Sequence, residues 1–240
     1  MRILVTNDDG IASESLKALA RWAAKFGEVT VVAPKVEQSG KSQSIDFFHP
    51  VEIKKVEFDG IEAWAMDSTP ADCVRFGVLG LKREYDLILS GINRGYNLGD
   101  DIAYSGTIGA IFEASRMGFK AIAFSTDKTS FDNAIAELDS VYSFIAENDL
   151  LKHAELLNVN IPTEKSIGIR ITHQGGMFYS DDFVYCGNDM YKQVGDPVEG
   201  DISDLSVDIN AVKSGYVSIS PLTANKTDLA AYDKLKTLNI

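Results

Sequence analysis

Apolar residues in the first half of the chain alternate between two rhythms. Ile3-Leu4-Val5 forms a short continuous apolar run within residues 2–6, the pattern of a strand buried on both faces. Over residues 13–25 the apolar positions Leu16, Leu19, Ala20 and Ala23 recur at helical spacing, and residues 28–34 (EVTVVAP) return to a continuous buried run. Strand, helix, strand in this order is a βαβ unit, which makes the two strands parallel. Residues 51–66 instead alternate across Asp59-Gly60, a two-residue hairpin signal. Thr69-Pro70 then opens a helix, with Thr69 as N-cap and Pro70 at the first helical position.

The same rhythm continues with a strand at 86–90, a polar loop rich in Gly and Asn over 91–106, a helix at 107–117, a strand at 121–125 and an amphipathic helix at 131–147. Strands are expected at 157–161, 167–172, 183–186 and 216–221. Between 174 and 203 the chain is polar, rich in Gly and Asp, and interspersed with Phe178, Tyr179, Phe183, Tyr185 and Tyr191, which suits a lid or an arm that packs on a partner subunit. The expectation is a single α/β domain over 1–240. Its core spans about 1–172 and 204–222, with an arm or lid at 173–203 and a helical tail at 223–240.

Charge narrows the partners. With 35 acidic against 23 basic side chains and a net charge of −12, the chain repels nucleic-acid polymers and anionic membranes. The first strand begins at once, without a leader-like segment, and no apolar stretch approaches a membrane span, so a cytoplasmic protein is expected. Cys73 and Cys186 stand far apart and outside any Cys-x-x-Cys pattern, against zinc and against a disulfide framework.

In open parallel sheets ligands bind beyond the carboxyl ends of the strands. Asn7-Asp8-Asp9-Gly10 follows the first strand, Gln38-Ser39-Gly40 the second, and Gly91-Ile92-Asn93 the strand at 86–90, so all three clusters fall at one sheet edge. Taken alone, the adjacent carboxylates fit a cation site or a turn equally well. Together, two carboxylates, a hydroxyl and a carboxamide form an all-oxygen set suited to Mg²⁺ or Mn²⁺. Nearby, Tyr104-Ser105-Gly106-Thr107 opens a helix whose first N–H groups and hydroxyls suit an anion, and an anion beside a divalent cation points to a phosphate monoester. Gly40-Lys41-Ser42 is not a P-loop, since Lys35 stands where its first Gly belongs. Gly99-Asp100-Asp101 offers a second metal site but reads rather as an exposed acidic turn, and Asp67 and Asp72 as structural neighbours of the Thr69-Pro70 cap.

MRILVTNDDGI, VTVVAPKVEQSGKSQSI, STPADCV, LILSGINRGYNLGDDIAYSGTIGAIFEA, NVNIP and GYVSISPL, in that order, resemble the SurE survival-protein family of metal-dependent nucleotidases over nearly the whole chain. The resemblance implies a Rossmann-like, mostly parallel α/β sheet with flanking helices and a C-terminal β-rich oligomerisation extension that builds a homodimer or homotetramer. It implies hydrolysis of nucleoside 5′- and 3′-monophosphates, and of short polyphosphate, with one divalent cation per subunit. Asp8, Asp9, Ser39 and Asn93 become the metal ligands, Asp8 and Asp9 the catalytic carboxylates, and Asn97, Ser105, Gly106 and Thr107 the phosphate pocket. Whether Asp9 attacks phosphorus itself or a carboxylate orients a water is left open. Ala12 to Ser15 and Gln43 depart from the common family pattern and bear on substrate range and pH dependence. The competing readings are a non-enzymatic nucleotide- or metal-binding regulatory protein and a purely structural oligomer.

Overall fold

The computed structural model describes residues 1–129 and 131–238. In chain order its regular elements are β1 (Arg2–Thr6), α1 (Glu14–Ala23), β2 (Glu28–Pro34), β3 (Ile53–Val56), β4 (Glu62–Met66), α2 (Pro70–Arg75), β5 (Leu87–Arg94), α3 (Gly106–Arg116), β6 (Ala121–Thr126), α4 (Asp132–Glu147) and α5 (Leu150–His153). They continue with β7 (Leu156–Asn160), β8 (Ile169–Ile171), β9 (Asp182–Gly187), β10 (Met190–Val194), α6 (Asp208–Lys213), β11 (Val217–Leu222) and α7 (Leu229–Leu235). Nine strands form one sheet in the order β3-β4-β2-β1-β5-β6-β7-β11-β8. The six from β4 to β7 are mutually parallel, β3 runs antiparallel to β4, and β11 antiparallel to β7.

Side-chain alternation along β1 sorts the core into two layers. Ile3 and Val5 join the cluster built by Leu16, Leu19 and Ala20 of α1 and by Leu138, Val141 and Ile145 of α4. Leu4 points to the opposite face, with Cys73 and Val74 of α2 and Ile108, Ile111 and Ala114 of α3. A large aliphatic side chain buried in this way contributes roughly 1.5–3 kcal/mol, which is why a parallel strand can be apolar on both faces. Because the chain moves from β1 to β2 in one direction and to β5 in the other, the order reverses between β1 and β5. A crevice opens there at the carboxyl edge.

Turn chemistry behaves as the sequence dictates. Asp59 and Gly60 both take positive φ, at 52° and 78°, and Ile61 N–H donates to Phe58 O at 2.8 Å, giving the type I′ turn of the β3-β4 ribbon. Thr69 caps α2 by accepting from Asp72 N–H. The expected loop over 91–106 is shorter than its composition suggests: β5 continues to Arg94 through a register shift between Ser90 and Asn93. In the 174–203 region the single expected strand has a partner, β10. The two form an exposed hairpin whose connecting residues Asn188 and Asp189 both have positive φ. The short helix α6 was not anticipated, and α7 lies within the expected tail, whose last two residues are outside the described chain.

Candidate active site

The Asn7-Asp8-Asp9-Gly10 segment is both a turn and a presenter of carboxylates. Asn7 closes it from within, its Nδ2 donating to Gly10 O at 3.1 Å and its Oδ1 accepting from Gly10 N–H at 3.2 Å. Gly10, at φ 97°, lets the chain reverse beside the end of β2. The turn is tied to the loop after β2 by Ile11 N–H to Pro34 O and Gln38 N–H to Asp8 O, each at 2.7 Å. Two carboxylates are thereby held at the β1-β5 crevice.

Their surroundings differ. Asp8 is only 4% exposed and faces α3: Thr107 Oγ1 donates to its Oδ1 at 2.5 Å and Thr107 N–H to its Oδ2 at 3.2 Å. Burial pushes the Asp8 carboxyl above its ordinary range, and the Thr107 hydrogen bonds oppose that shift. Asp9 turns towards α1 and α4, with a long contact of 3.4 Å from Arg94 N–H. Desolvation, followed by the charge on Asp8, raises Asp9 to about 6. Among the described residues neither carboxylate forms an ion pair with Lys, Arg or His.

Ser39 lies on a loop fastened at both sides. Beyond it, Ser42 N–H donates to Tyr104 O at 3.0 Å, Ser42 Oγ to Ala103 O at 2.7 Å, and Gln43 Nε2 to Glu113 Oε2 at 3.0 Å. Gln43 therefore anchors the Ser39 loop to α3 through Glu113, which also holds Arg75 and Arg116. The Ser39 hydroxyl donates to Glu37 at 2.7 Å, and Asn93 Nδ2 donates to Gly95 O at 2.7 Å, which leaves the Asn93 Oδ1 without a hydrogen bond among the described residues. Asp8, Ser39, Asn93, Asn97 and Ser105 line one depression of about 180 Å³ together with Gly40, Arg94, Asp101 and Tyr104. Asp9 lines the adjoining cleft, and Arg94 belongs to both.

Asn97 is buried and its orientation is fixed from below. Its Nδ2 donates to Ser125 Oγ at 2.8 Å, while Asn158 and Asn160 each donate to its main-chain carbonyl at 2.9 Å. Ser105 caps α3 by accepting from Ile108 N–H at 3.1 Å. Most of the amides expected to be free at this helix start already have partners. Ser105 N–H reaches Ile102 O, Thr107 N–H reaches Asp8, and Ile108 N–H is capped, so Gly106 N–H is the one without a partner among the described residues. Thr107 is fully buried and does not line the depression. Its hydroxyl and amide both hold Asp8.

Three charged neighbours stand beside the expected ligands, and of these Glu37 and Arg94 escaped the sequence reading. Glu37 adds negative charge beside Asp8 and Asp9, Arg94 is the nearest cation, and Asp101 lines the depression with its Oδ2 buried and unbonded. Asp101 is thus part of the wall and not of an exposed turn. It sits on a 3-10 segment, Gly99–Ala103, held by Gly99 N–H to Asp208 Oδ2 at 2.9 Å. Glu37 and Arg94 adjoin the singled-out Ser39 and Asn93, and that adjacency was the available signal. Asp72 instead accepts from Ser68 Oγ and Asp46 N–H, a structural role.

The donor set is oxygen only, from two carboxylates with no counter-charge, a hydroxyl and an amide oxygen, and it suits a hard divalent cation. No three His, Cys, Asp or Glu side chains gather around a common point among the described residues. An ion here would therefore depend on Ser39 and Asn93 to complete its protein ligands.

The sequence model of the family described as "Survival protein SurE" matches residues 3–181. Among curated relatives, a 5′-nucleotidase SurE of Thermosipho melanesiensis is 37% identical, covering 95% of this chain and 93% of the relative. Another, from Thermoanaerobacter pseudethanolicus, is 39% identical, covering 100% of this chain and 97% of the relative. The crystal structure of the SurE protein from Aquifex aeolicus superposes with a TM-score of 0.84 at 31% identity, covering 100% of both chains. The conjunction of this switch-point crevice with similarity along the whole chain establishes that the protein belongs to the SurE family.

Proposed function

We propose that this protein is a divalent-metal-dependent phosphomonoesterase that hydrolyses nucleoside 5′- and 3′-monophosphates to nucleoside and phosphate. The observation that carries the reading is the adjacent pair Asp8, buried, and Asp9, half-buried, at the sheet's switch point, with no cationic side chain paired to either. One Mg²⁺ or Mn²⁺ per chain would be held by Asp8, Asp9, Ser39 and Asn93. Such an ion supplies Lewis-acid withdrawal of charge from a phosphoryl oxygen.

The chain's own groups do the rest. Ser105 Oγ, the unpartnered Gly106 N–H and the Asn97 side chain orient the phosphate, and Arg94 offsets its charge. Thr107 acts one step removed, fixing the rotamer of Asp8. Asp9 faces the open cleft and either attacks phosphorus or takes the proton of an attacking water. Because Ser105 also caps α3, Ser105→Ala is expected to lower the rate roughly 10- to 1000-fold while costing about 1 kcal/mol of stability. Steady-state kinetics and thermal unfolding of the same preparation measure the two effects.

The reading includes a homodimer or homotetramer formed through the C-terminal region. Its support is the apolar surface that Phe183, Tyr185 and Tyr191 leave exposed on the hairpin, and Leu229, Tyr232 and Leu235 on α7. No helix of the described chain is long and apolar enough to cross a membrane. The reaction is tested by incubating the protein with a panel of 5′- and 3′-monophosphates, and with short polyphosphate, in Mg²⁺, Mn²⁺ or EDTA, and separating nucleoside from nucleotide. Metal-dependent, equimolar appearance of nucleoside and phosphate is the expected result. Nucleotide retained tightly without turnover would favour the non-enzymatic binder instead.

A further inference from the structure

Beside the carboxylate pair lies a second cleft of about 470 Å³, lined by Asp9, Ala12, Ser13, Glu14, Glu37, Arg94 and Phe131. Its size falls within the range of about 300–1,000 Å³ for small-molecule sites. Topology explains its composition. Asp9 follows β1, residues 12–14 open α1, Glu37 follows β2, Arg94 ends β5 and Phe131 follows β6, so four neighbouring strands deliver these residues to one edge. The cleft lies on the α1/α4 side of the sheet, whereas Ser105 and Thr107 approach from the α3 side. A phosphate between the two would therefore extend its ester group into this cleft.

We infer that this cleft is the leaving-group subsite and that Phe131 is a specificity-determining residue, its ring the platform on which the nucleobase stacks. The assignment rests on the phosphomonoesterase reading above and names what that reading leaves open. The chemistry of the lining selects the group. Phe131 is only partly buried and is the one aromatic ring in the wall, while Asp9, Glu14 and Glu37 outnumber the single cation Arg94. A wall of this charge disfavours a polyphosphate chain as leaving group, and suits an uncharged one with a π face: a nucleoside. Glu14 and Glu37 already accept from Lys17 and Ser39, so the aromatic ring is the recognition element that has no polar task.

The test compares a nucleoside 5′-monophosphate with ribose 5-phosphate, which keeps the phosphate and the sugar and lacks only the base. KM from turnover and Kd from calorimetry are measured for wild type, Phe131→Ala and Phe131→Trp. In Phe131→Ala, KM and Kd for the nucleotide rise about 10-fold while those for ribose 5-phosphate stay within twofold, and Phe131→Trp retains wild-type nucleotide affinity. Equal changes for both substrates, wild-type values in Phe131→Ala, or turnover of tripolyphosphate by the wild type as fast as of the nucleotide would overturn the assignment. Base-dependent binding lost in Phe131→Ala, without phosphate release by any variant, would support the subsite and sink the hydrolase reading, so the two fail separately.

Discussion

Asp9→Asn is expected to abolish turnover, by at least about 1000-fold, and at the same time to make the metal-free protein more stable. The two effects have one cause. Asp9 is held beside Asp8 and partly withdrawn from water, which lifts its carboxyl from 3.8 to about 6. A folded-state value above the unfolded one means that the native protein binds the proton more tightly. The associated stability is complete below about pH 4 and is lost as pH rises through about 6, so at neutral pH the ionised pair is a net cost. Asp9 is partly solvated, so the cost is discounted to about 1 kcal/mol, or roughly 2–4 °C in melting temperature for a chain of this size. Asp9→Asn should therefore melt above wild type at pH 7 in EDTA, and the difference should shrink towards pH 4.5. Addition of Mg²⁺ or Mn²⁺ should reverse the order, because only the wild type gains by linkage. A variant with normal turnover, or one less stable than wild type in EDTA at pH 7, would contradict this account of the carboxylate pair.

Gly106→Ala is expected to lower both quantities. A methyl group on Gly106 would lie 2.9 Å from Asp8 Cβ, 3.1 Å from its Oδ2 and 3.2 Å from Pro70 Cγ. None of these neighbours can yield easily: Asp8 is held by Thr107, and Pro70 is in the first turn of α2. The start of α3 must move away from β1, lengthening the Thr107 to Asp8 hydrogen bonds and displacing Ser105 and the Gly106 amide together. Overpacking of this kind costs about 1–3 kcal/mol, and ångström-scale misplacement of reacting groups costs on the order of 100-fold in rate. Thermal unfolding and steady-state kinetics check both, and the loss should appear in kcat more than in KM. Opposite signs in melting temperature for two variants that both lose activity separate electrostatic strain from steric support.

The fold was legible where burial is symmetrical and local. Arg2–Thr6 and Glu28–Pro34 were readable to the residue because a strand buried on both faces is predominantly apolar, with Thr30 the one polar side chain inside the second run, and Thr69-Pro70 and Asp59-Gly60 carry their turn chemistry in adjacent positions. The end of β5 was not, because Gly91 reads as a loop residue when its task is close approach. A Cβ there would lie 2.4 Å from Phe124 O of the neighbouring strand. Likewise β10 was missed because the Asn188-Asp189 turn is a weaker signal than Asp-Gly.

At the site, topology alone brought Asp8, Ser39, Asn93, Asn97 and Ser105 to one depression, since each ends or follows a parallel strand or opens a helix at the same edge. What spacing could not reveal is which donors are already engaged. Thr107 looks from sequence like a ligand group, yet Asp8 occupies both its donors. Asp101 looks like a solvated turn residue, yet the tether from Asp208, 107 residues further along the chain, turns it into a pocket wall. Such pairings depend on tertiary contacts between distant segments and leave no trace in local pattern.

The most direct test of the central claim is a titration. Wild-type protein is stripped of metal with EDTA, exchanged into metal-free buffer, and given Mn²⁺ in increments while phosphate release from a nucleoside 5′-monophosphate is followed. The predicted result is no release without metal and a rate that rises to saturation with one bound ion per chain. Release that persists without metal, or saturation of metal and nucleotide binding with no release, would contradict it.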